Sequence, residues 1–268
     1  MDRDDSVEPK VDVEGRRTEV QRSLRMGGLL YVVGLVGFGF GSDLPVVDLL
    51  FLPALLFLLP ALAVAQLPLV ENEEVERIPA YLGSAAGILV LGLASAALGL
   101  RLAGPAELGL LLPPGGVLLS WSVGLSAAGI GIMWVFHRVE VSRGTAGSKI
   151  LRQLMPRTGR ERAAFAGLSF AAGTGEEVAY RGYVIVALVA TGLSPVLAAV
   201  GSSVAFGYLH AYQGRIGVVR TGLLGFILAV SFLATGSLWP AMIAHVTIDL
   251  VGGLVLGPRW MEVGTESA

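Results

Sequence analysis

The sequence predicts an all-α fold, a polytopic membrane helix bundle with about eight transmembrane helices and both termini cytoplasmic. Three observations lead there. Of 268 residues, 54% are apolar and 15% charged, with a mean hydropathy of +0.72; an average soluble domain has roughly 45–50% and 25%. The charges gather in a few short stretches, separated by apolar runs near the ~20 helical residues that cross a hydrocarbon core. Finally, the basic residues segregate by loop, as short cytoplasmic loops require.

The apolar runs fall at 26–41, 44–69, 79–100, 115–136, 163–190, 194–212, 217–234 and 237–256. The first is short and Gly-rich. The second carries Pro53 and Pro60, which kink a helix but are tolerated where neighbours satisfy the freed carbonyl. Asp43 and Asp48, near the end of this run, are expected to reach the interface. In the third, Gly83 and Gly87 make a small-xxx-small spacing suited to close helix packing. Pro113-Pro114-Gly115-Gly116 marks a turn before the fourth. The fifth is too long for one straight crossing, and Gly173-Thr174-Gly175 predicts a bend or break ahead of two glutamates.

With eight spans and an inside N-terminus, seventeen of the 19 Lys/Arg fall on the cytoplasmic side. They are six in the N-terminal tail, Arg77, seven in the 137–162 loop, and Arg215, Arg220 and Arg259. Arg101 alone is external, and Arg181 lies within a span. The expected organisation is a disordered cytoplasmic tail (1–25), an N-terminal four-span half (26–136) and a basic cytoplasmic loop (137–162). A C-terminal four-span catalytic region (163–256) and a cytoplasmic tail (257–268) complete it. The first 25 residues lack a compact apolar stretch with a small-residue cleavage site, so no removable signal peptide is expected. The protein is expected in the cell membrane as a multi-pass protein, with lipid bilayer and no nucleic acid among its partners.

No cysteine is present, which excludes a disulfide scaffold, a thiol nucleophile and thiolate-held metals. Chemistry must use histidine, carboxylates, hydroxyls or backbone. An ionisable group inside a span costs at least a few kcal/mol and is by default a functional candidate. The C-terminal half collects six: Glu176, Glu177 and Arg181 in the fifth run, His210 at the end of the sixth, His245 and Asp249 in the eighth. Glu177 and Arg181 are i,i+4 neighbours with the acid first, the favourable order for a pair. Glu176 is rotated by about 100° from Glu177 and is free to face other groups. Phe206/His210 and His245/Asp249 are i,i+4 pairs as well. Each feature alone has a structural reading: a packing pair, a satisfied core histidine, a hydrogen bond that fixes a ring. Three spans delivering such groups to one region read better as a site.

A carboxylate and an imidazole within reach of one water make a general base for hydrolysis, and a further histidine can stabilise an oxyanion. No Gly-x-Ser-x-Gly elbow is present. Glu176, His210, His245 and Asp249 are acceptable zinc ligand types, but there is no His-Glu-x-x-His helix.

The ordered trio Glu-Glu-x-x-x-Arg (Glu176, Glu177, Arg181), Phe-x-x-x-His (Phe206, His210) and His-x-x-x-Asp (His245, Asp249) resembles the CPBP intramembrane protease family. That family includes the type II CAAX prenyl endopeptidases and bacteriocin-processing or immunity proteins (Abi family). The likeness spans about 160–256. It implies a glutamate-dependent intramembrane endopeptidase with its site in the cytoplasmic half. In it, Glu176 and His210 activate water, and His245 and the residue at 249 hold the substrate carbonyl. Glu177 and Arg181 orient the helix, with Phe206 in support. No cofactor is implied; should a divalent metal such as zinc bind, Glu176, His210 and His245 are the ligands. The substrate is a membrane-associated peptide or protein, of which a prenylated C-terminus is the family's known type. This sequence departs from the CAAX-type members in one place, Asp249, where Asn is usual; an ionised Asp offers acceptors only. The alternatives are a non-catalytic membrane protein for immunity or partner binding, and a transporter using the acids as proton relays.

Overall fold

A computed structural model describes residues 13–40, 42–70, 73–144 and 148–260. Among them the backbone forms helices and no strand. The first, α1 (Val13–Gly39), begins well before the apolar run. Residues 13–25, expected as disordered tail, are therefore helical, while 1–12 lie outside the described residues. Once the apolar segment has nucleated a helix, each added residue gains a hydrogen bond at little cost, so the polar stretch can continue it.

Helix α2 (Val46–Val70) contains a π turn at Ala54–Leu58, where the Leu59 N–H donates to Ala54. Pro60 has no N–H to offer the preceding turn. The Leu55 carbonyl instead accepts the Tyr180 hydroxyl at 3.2 Å. Helices α3 (Arg77–Leu102) and α4 (Gly115–Ser142) follow. The second of these runs six residues past the expected boundary at 136. A short α5 (Lys149–Gln153), capped by Ser148, lies within the basic segment.

Helix α6 covers 159–190. A capping box between Thr158 and Glu161 starts it, satisfying two otherwise orphaned N–H groups. It is unbroken at Gly173–Gly175 and widens into a π segment at Glu177–Val184. The predicted break is thus a continuous helix, because these glycines serve packing. A Cβ on Gly175 would meet Ile88 O of α3 at 2.8 Å; one on Gly92 would meet Gly175 Cα at 2.7 Å. A Cβ on Gly173 would lie 2.9 Å from Val246 N in the last helix. Gly83 and Gly87, by contrast, have nothing within 4 Å. The close crossing of α3 lies one turn beyond the predicted pair.

Helix α7 (Pro195–Leu209) ends at His210. A 3-10 turn, Ala211–Gln213, leads into α8 (Gly214–Thr235), which stops at left-handed Gly236 (φ +64°). The last helix, α9 (Trp239–Trp260), continues four residues into the expected tail, and Trp260 stacks on His137 at 4.0 Å; 261–268 lie outside the described residues.

Eight helices thus occupy the positions of the eight apolar runs. Among the described residues five stretches are long and apolar enough to cross a membrane: α2, α3, α4, α9 and Ala211–Thr235. The apolar windows of α3 and α4 are only 17% buried, and Leu89, Val90, Leu93 and Val123 face outward. Apolar surface on that scale is unstable in water and matches a lipid environment. Buried Tyr180, Tyr183, Val184 and Ile185 of α6 form the centre of the core, with Leu52 and Leu55 of α2 and Leu238 against them.

Candidate active site

The six ionisable groups read from the sequence are brought together by α6, α7 and α9. The Arg181 Nη1 donates to Glu177 Oε1 at 2.9 Å, and both side chains are fully buried. The guanidinium carbon sits 4.1 Å from the centre of the Phe206 ring, and Arg181 Nε donates to the Gly225 carbonyl at 3.3 Å. A Cβ at position 225 would meet Arg181 Nη2 at 2.6 Å and Phe206 Cδ1 at 3.1 Å, so glycine there lets α8 approach the guanidinium. Cation, ring and backbone together fix one arginine rotamer.

Glu177 Oε1 accepts a second bond, from His245 Nδ1 of α9 at 2.7 Å. A carboxylate can only accept, so Nδ1 carries the proton and the ring's other nitrogen, Nε2, is turned away from Glu177. That nitrogen lies 3.8 Å from Glu176 Oε2 and 3.7 Å from Asp249 Oδ2. The i,i+4 pair His245/Asp249 is therefore in electrostatic contact, beyond hydrogen-bond distance. The Phe206 ring meets His245 edge-on at 6.0 Å and His210 at 4.7 Å. His210 caps α7, its Nδ1 donating to the Phe206 carbonyl at 2.9 Å.

A cavity of about 1120 Å³ separates the two sets of residues. Glu176, His210, His245, Asp249 and Phe206 line it; Glu177 and Arg181 do not. The angular offset between adjacent helical positions thus sends one glutamate to the cavity and the other to the arginine. Glu176 Oε2, Glu177 Oε2 and Arg181 Nη2 are buried without a hydrogen-bond partner among the described residues. Unpartnered buried polar atoms cost about 1–3 kcal/mol each, more when charged. Their concentration here marks a place where water or a ligand completes the structure.

His210 has no nitrogen within 4 Å of a Glu176 oxygen; His245 does. Glu176 and His210 share the cavity rather than a contact. Glu177 does more than orient its own helix, because it also holds the His245 ring across 68 residues of sequence. No group of three His, Asp or Glu side chains among the described residues is arranged to hold a metal ion, the trio Glu176, His210 and His245 included.

Arg220, counted among the cytoplasmic charges, is a buried residue of the cavity wall. Its Nη2 donates to Gln213 Oε1 at 2.8 Å, and Nη1 lies 3.8 Å from Glu140. Its position inside the 217–234 run was the available signal, since a cation within a span is a candidate by default. Tyr212 and Gln213, also lining the cavity, carry no motif that sequence could flag. Asp48, expected at the interface, is completely buried, bound by Arg101 and by the Tyr183 hydroxyl at 3.0 Å. The reason is tertiary: Arg101 of α3 and Tyr183 of α6 reach the start of α2.

Residues 159–251 match the family model of Rce1-like type II CAAX prenyl endopeptidases. This region, which carries the six ionisable groups and Phe206, is therefore similar to a CAAX-type prenyl endopeptidase domain. No curated protein and no solved structure matches the chain.

Proposed function

We propose that the protein is an intramembrane endopeptidase that hydrolyses a peptide bond of a membrane-associated peptide or protein, with water activated by Glu176 and His210. The observation that carries this reading is Glu176: a buried carboxylate with one oxygen unpartnered, facing a large cavity shared with two histidines, inside the family-matched region.

Both histidines direct their Nδ1–H away, His245 to Glu177 and His210 to Phe206. Their Nε2 lone pairs are left for the cavity. Water lodged between Glu176 and His210 gives a proton to Glu176 as its oxygen bonds to the scissile carbonyl carbon. The carbonyl π pair moves to oxygen, forming a tetrahedral oxyanion, which needs a hydrogen-bond donor aimed at it. Collapse restores the carbonyl and breaks the C–N bond, and the proton held by Glu176 passes to the departing nitrogen. Glu177 and Arg181 keep His245 in its tautomer and orientation, as partners behind a reacting group do.

The topology proposed is eight spans with both ends cytoplasmic, and a cavity that opens to that side. His137, Arg152, Met155 and Trp260, from the basic segments and the last helix, all line it. The chain lacks cysteine, so single cysteines placed at Ser148 and at Gly104 would label from opposite faces of the membrane; labelling from one face would reject this topology.

The functional test uses purified protein and membrane-partitioning peptides with and without a prenylated C-terminus. Cleavage by wild type and its loss in Glu176→Gln is the expected outcome. Activity unchanged in that variant rejects the assignment. Preference for the prenylated peptide would set the substrate class as CAAX-type. Persistence of cleavage in chelator is expected for a glutamate-activated water; loss that is restored by zinc would require a metal mechanism.

A further inference from the structure

We infer that Tyr212 is a catalytic residue, the hydrogen-bond donor to the oxyanion of the tetrahedral intermediate. This rests on the peptidase reading and adds to it the group that the donor inventory lacks. A developing oxyanion needs hydrogen-bond donors aimed at it. The four groups assigned to the chemistry supply few. Glu176 and Asp249 accept when ionised. His210 commits its Nδ1–H to the Phe206 carbonyl at 2.9 Å, and His245 commits its own to Glu177 at 2.7 Å. A neutral imidazole has one N–H, so each ring then shows the cavity a lone pair. If His245 is protonated, its Nε2–H faces the carboxylates of Glu176 and Asp249, 3.8 and 3.7 Å away.

Tyr212 has a donor to spare. It lines the same cavity, its ring 5.8 Å from that of His210. Its hydroxyl oxygen accepts from Gln213 Nε2 at 3.3 Å. The orientation of that amide is dictated by its other end: Gln213 Oε1 accepts from Arg220 Nη2 at 2.8 Å and from Thr221 Oγ1 at 3.1 Å. A flipped amide would set NH2 against a guanidinium, so Nε2 must face the tyrosine. The Tyr212 oxygen is thereby occupied as an acceptor, and its proton has no acceptor among the described residues. The backbone is held too, since the Ser148 hydroxyl donates to the Tyr212 carbonyl. The chain Arg220, Gln213, Tyr212 runs from a buried cation to a phenol, each donor polarising the next.

In the hydrolytic step Tyr212 keeps its proton. As water oxygen bonds to carbon and its proton goes to Glu176, the carbonyl π pair becomes the oxyanion lone pair that accepts the Tyr212 O–H bond. On collapse that pair re-forms C=O, the C–N bond breaks toward nitrogen, and nitrogen takes the proton from Glu176. An acid at 249, where the family usually has an amide, is then compatible with oxyanion stabilisation.

The experiment compares wild type, Tyr212→Phe and Glu176→Gln for peptide cleavage and for binding of a phosphonamidate peptide, whose tetrahedral anion mimics the intermediate, against the parent peptide. Tyr212→Phe should lower kcat by about 10²–10³-fold, the usual loss for one oxyanion donor, with KM within about threefold. It should also abolish the tighter binding of the phosphonamidate while leaving binding of the parent peptide unchanged. A Gln213→Leu variant should fall between wild type and Tyr212→Phe. Cleavage by Tyr212→Phe within threefold of wild type, or equal loss of affinity for both ligands, overturns the assignment; Glu176→Gln then remains inactive and the peptidase reading stands. Full activity in Glu176→Gln overturns both. A melting temperature of Tyr212→Phe equal to that of wild type excludes misfolding as the cause of its loss.

Discussion

Asp48 and Glu177 are both buried carboxylates paired with arginines, and they differ in what they leave undone. Asp48 has both oxygens engaged, one by Arg101 and one by the Tyr183 hydroxyl, and is not among the residues lining the cavity. Around Glu177, Oε1 takes two donors while Oε2, Arg181 Nη2 and the neighbouring Glu176 Oε2 have none. The first cluster is finished and joins α2, α3 and α6. The second is unfinished and borders a cavity. Buried charge in a membrane helix is thus insufficient to identify a site; an unsatisfied oxygen on a cavity-lining carboxylate, Glu176, makes the distinction.

The largest expected effect is on chemistry alone. Glu176→Gln should reduce cleavage by roughly 10²–10⁴-fold, the usual contribution of a general base, and leave the melting temperature in detergent unchanged. A parallel fall in stability would make Glu176 a structural residue like Asp48.

Glu177→Gln should hurt both properties. It strands a fully buried Arg181, and breaking a buried ion pair from one side costs about 3–5 kcal/mol. Denaturation in mild detergent would show it, together with lost activity as His245 is released. Asp48→Asn should cost less, roughly 1–3 kcal/mol, because Arg101 is 46% exposed and can turn to solvent. Its activity per folded molecule should match wild type. Equal destabilisation by the two variants would erase the distinction.

Helix packing offers a comparison of similar size. Gly92→Val should cost on the order of 1–3 kcal/mol by overpacking, since its Cβ meets Gly175 Cα at 2.7 Å, and should shift α6 with the site it carries. Gly83→Val, with open space around it, should be near neutral. The smallest effect belongs to Glu161, outside the membrane. Bonds from the Thr158 and then the Arg157 backbone N–H hold its carboxyl below the usual carboxylate range. A depressed folded pKa adds stability that is present above the unfolded value of about 4.3 and lost as pH falls through the folded one. Glu161→Gln should therefore slightly flatten the acid side of the stability profile; a change on the alkaline side would contradict the capping role.

Much of the helix layout and the six ionisable groups that α6, α7 and α9 bring together were legible, because both depend on local regularities. Apolar runs mark helices, and i,i+4 spacing puts Glu177 beside Arg181 and Glu176 on another face. The misses lie where two helices meet. Gly83/Gly87 has the right spacing but faces open space, while Gly92 and Gly175 have no common motif and touch. Arg220 served the charge count equally well inside or outside the bundle. The polar stretch 13–25 looks disordered by composition and is helical by continuation of its neighbour.

By itself the sequence determined which groups are too costly to bury without purpose, and which side of each helix they occupy, since chemistry and helical period are local. Only the tertiary structure decided that Glu177 holds His245, that His245 rather than His210 adjoins Glu176, that Asp48 is sealed and that Tyr212 keeps a proton to give. Those facts depend on where helices cross. Crossing points are set by close contacts between small residues and backbone far apart in sequence, and no single stretch of chain encodes them.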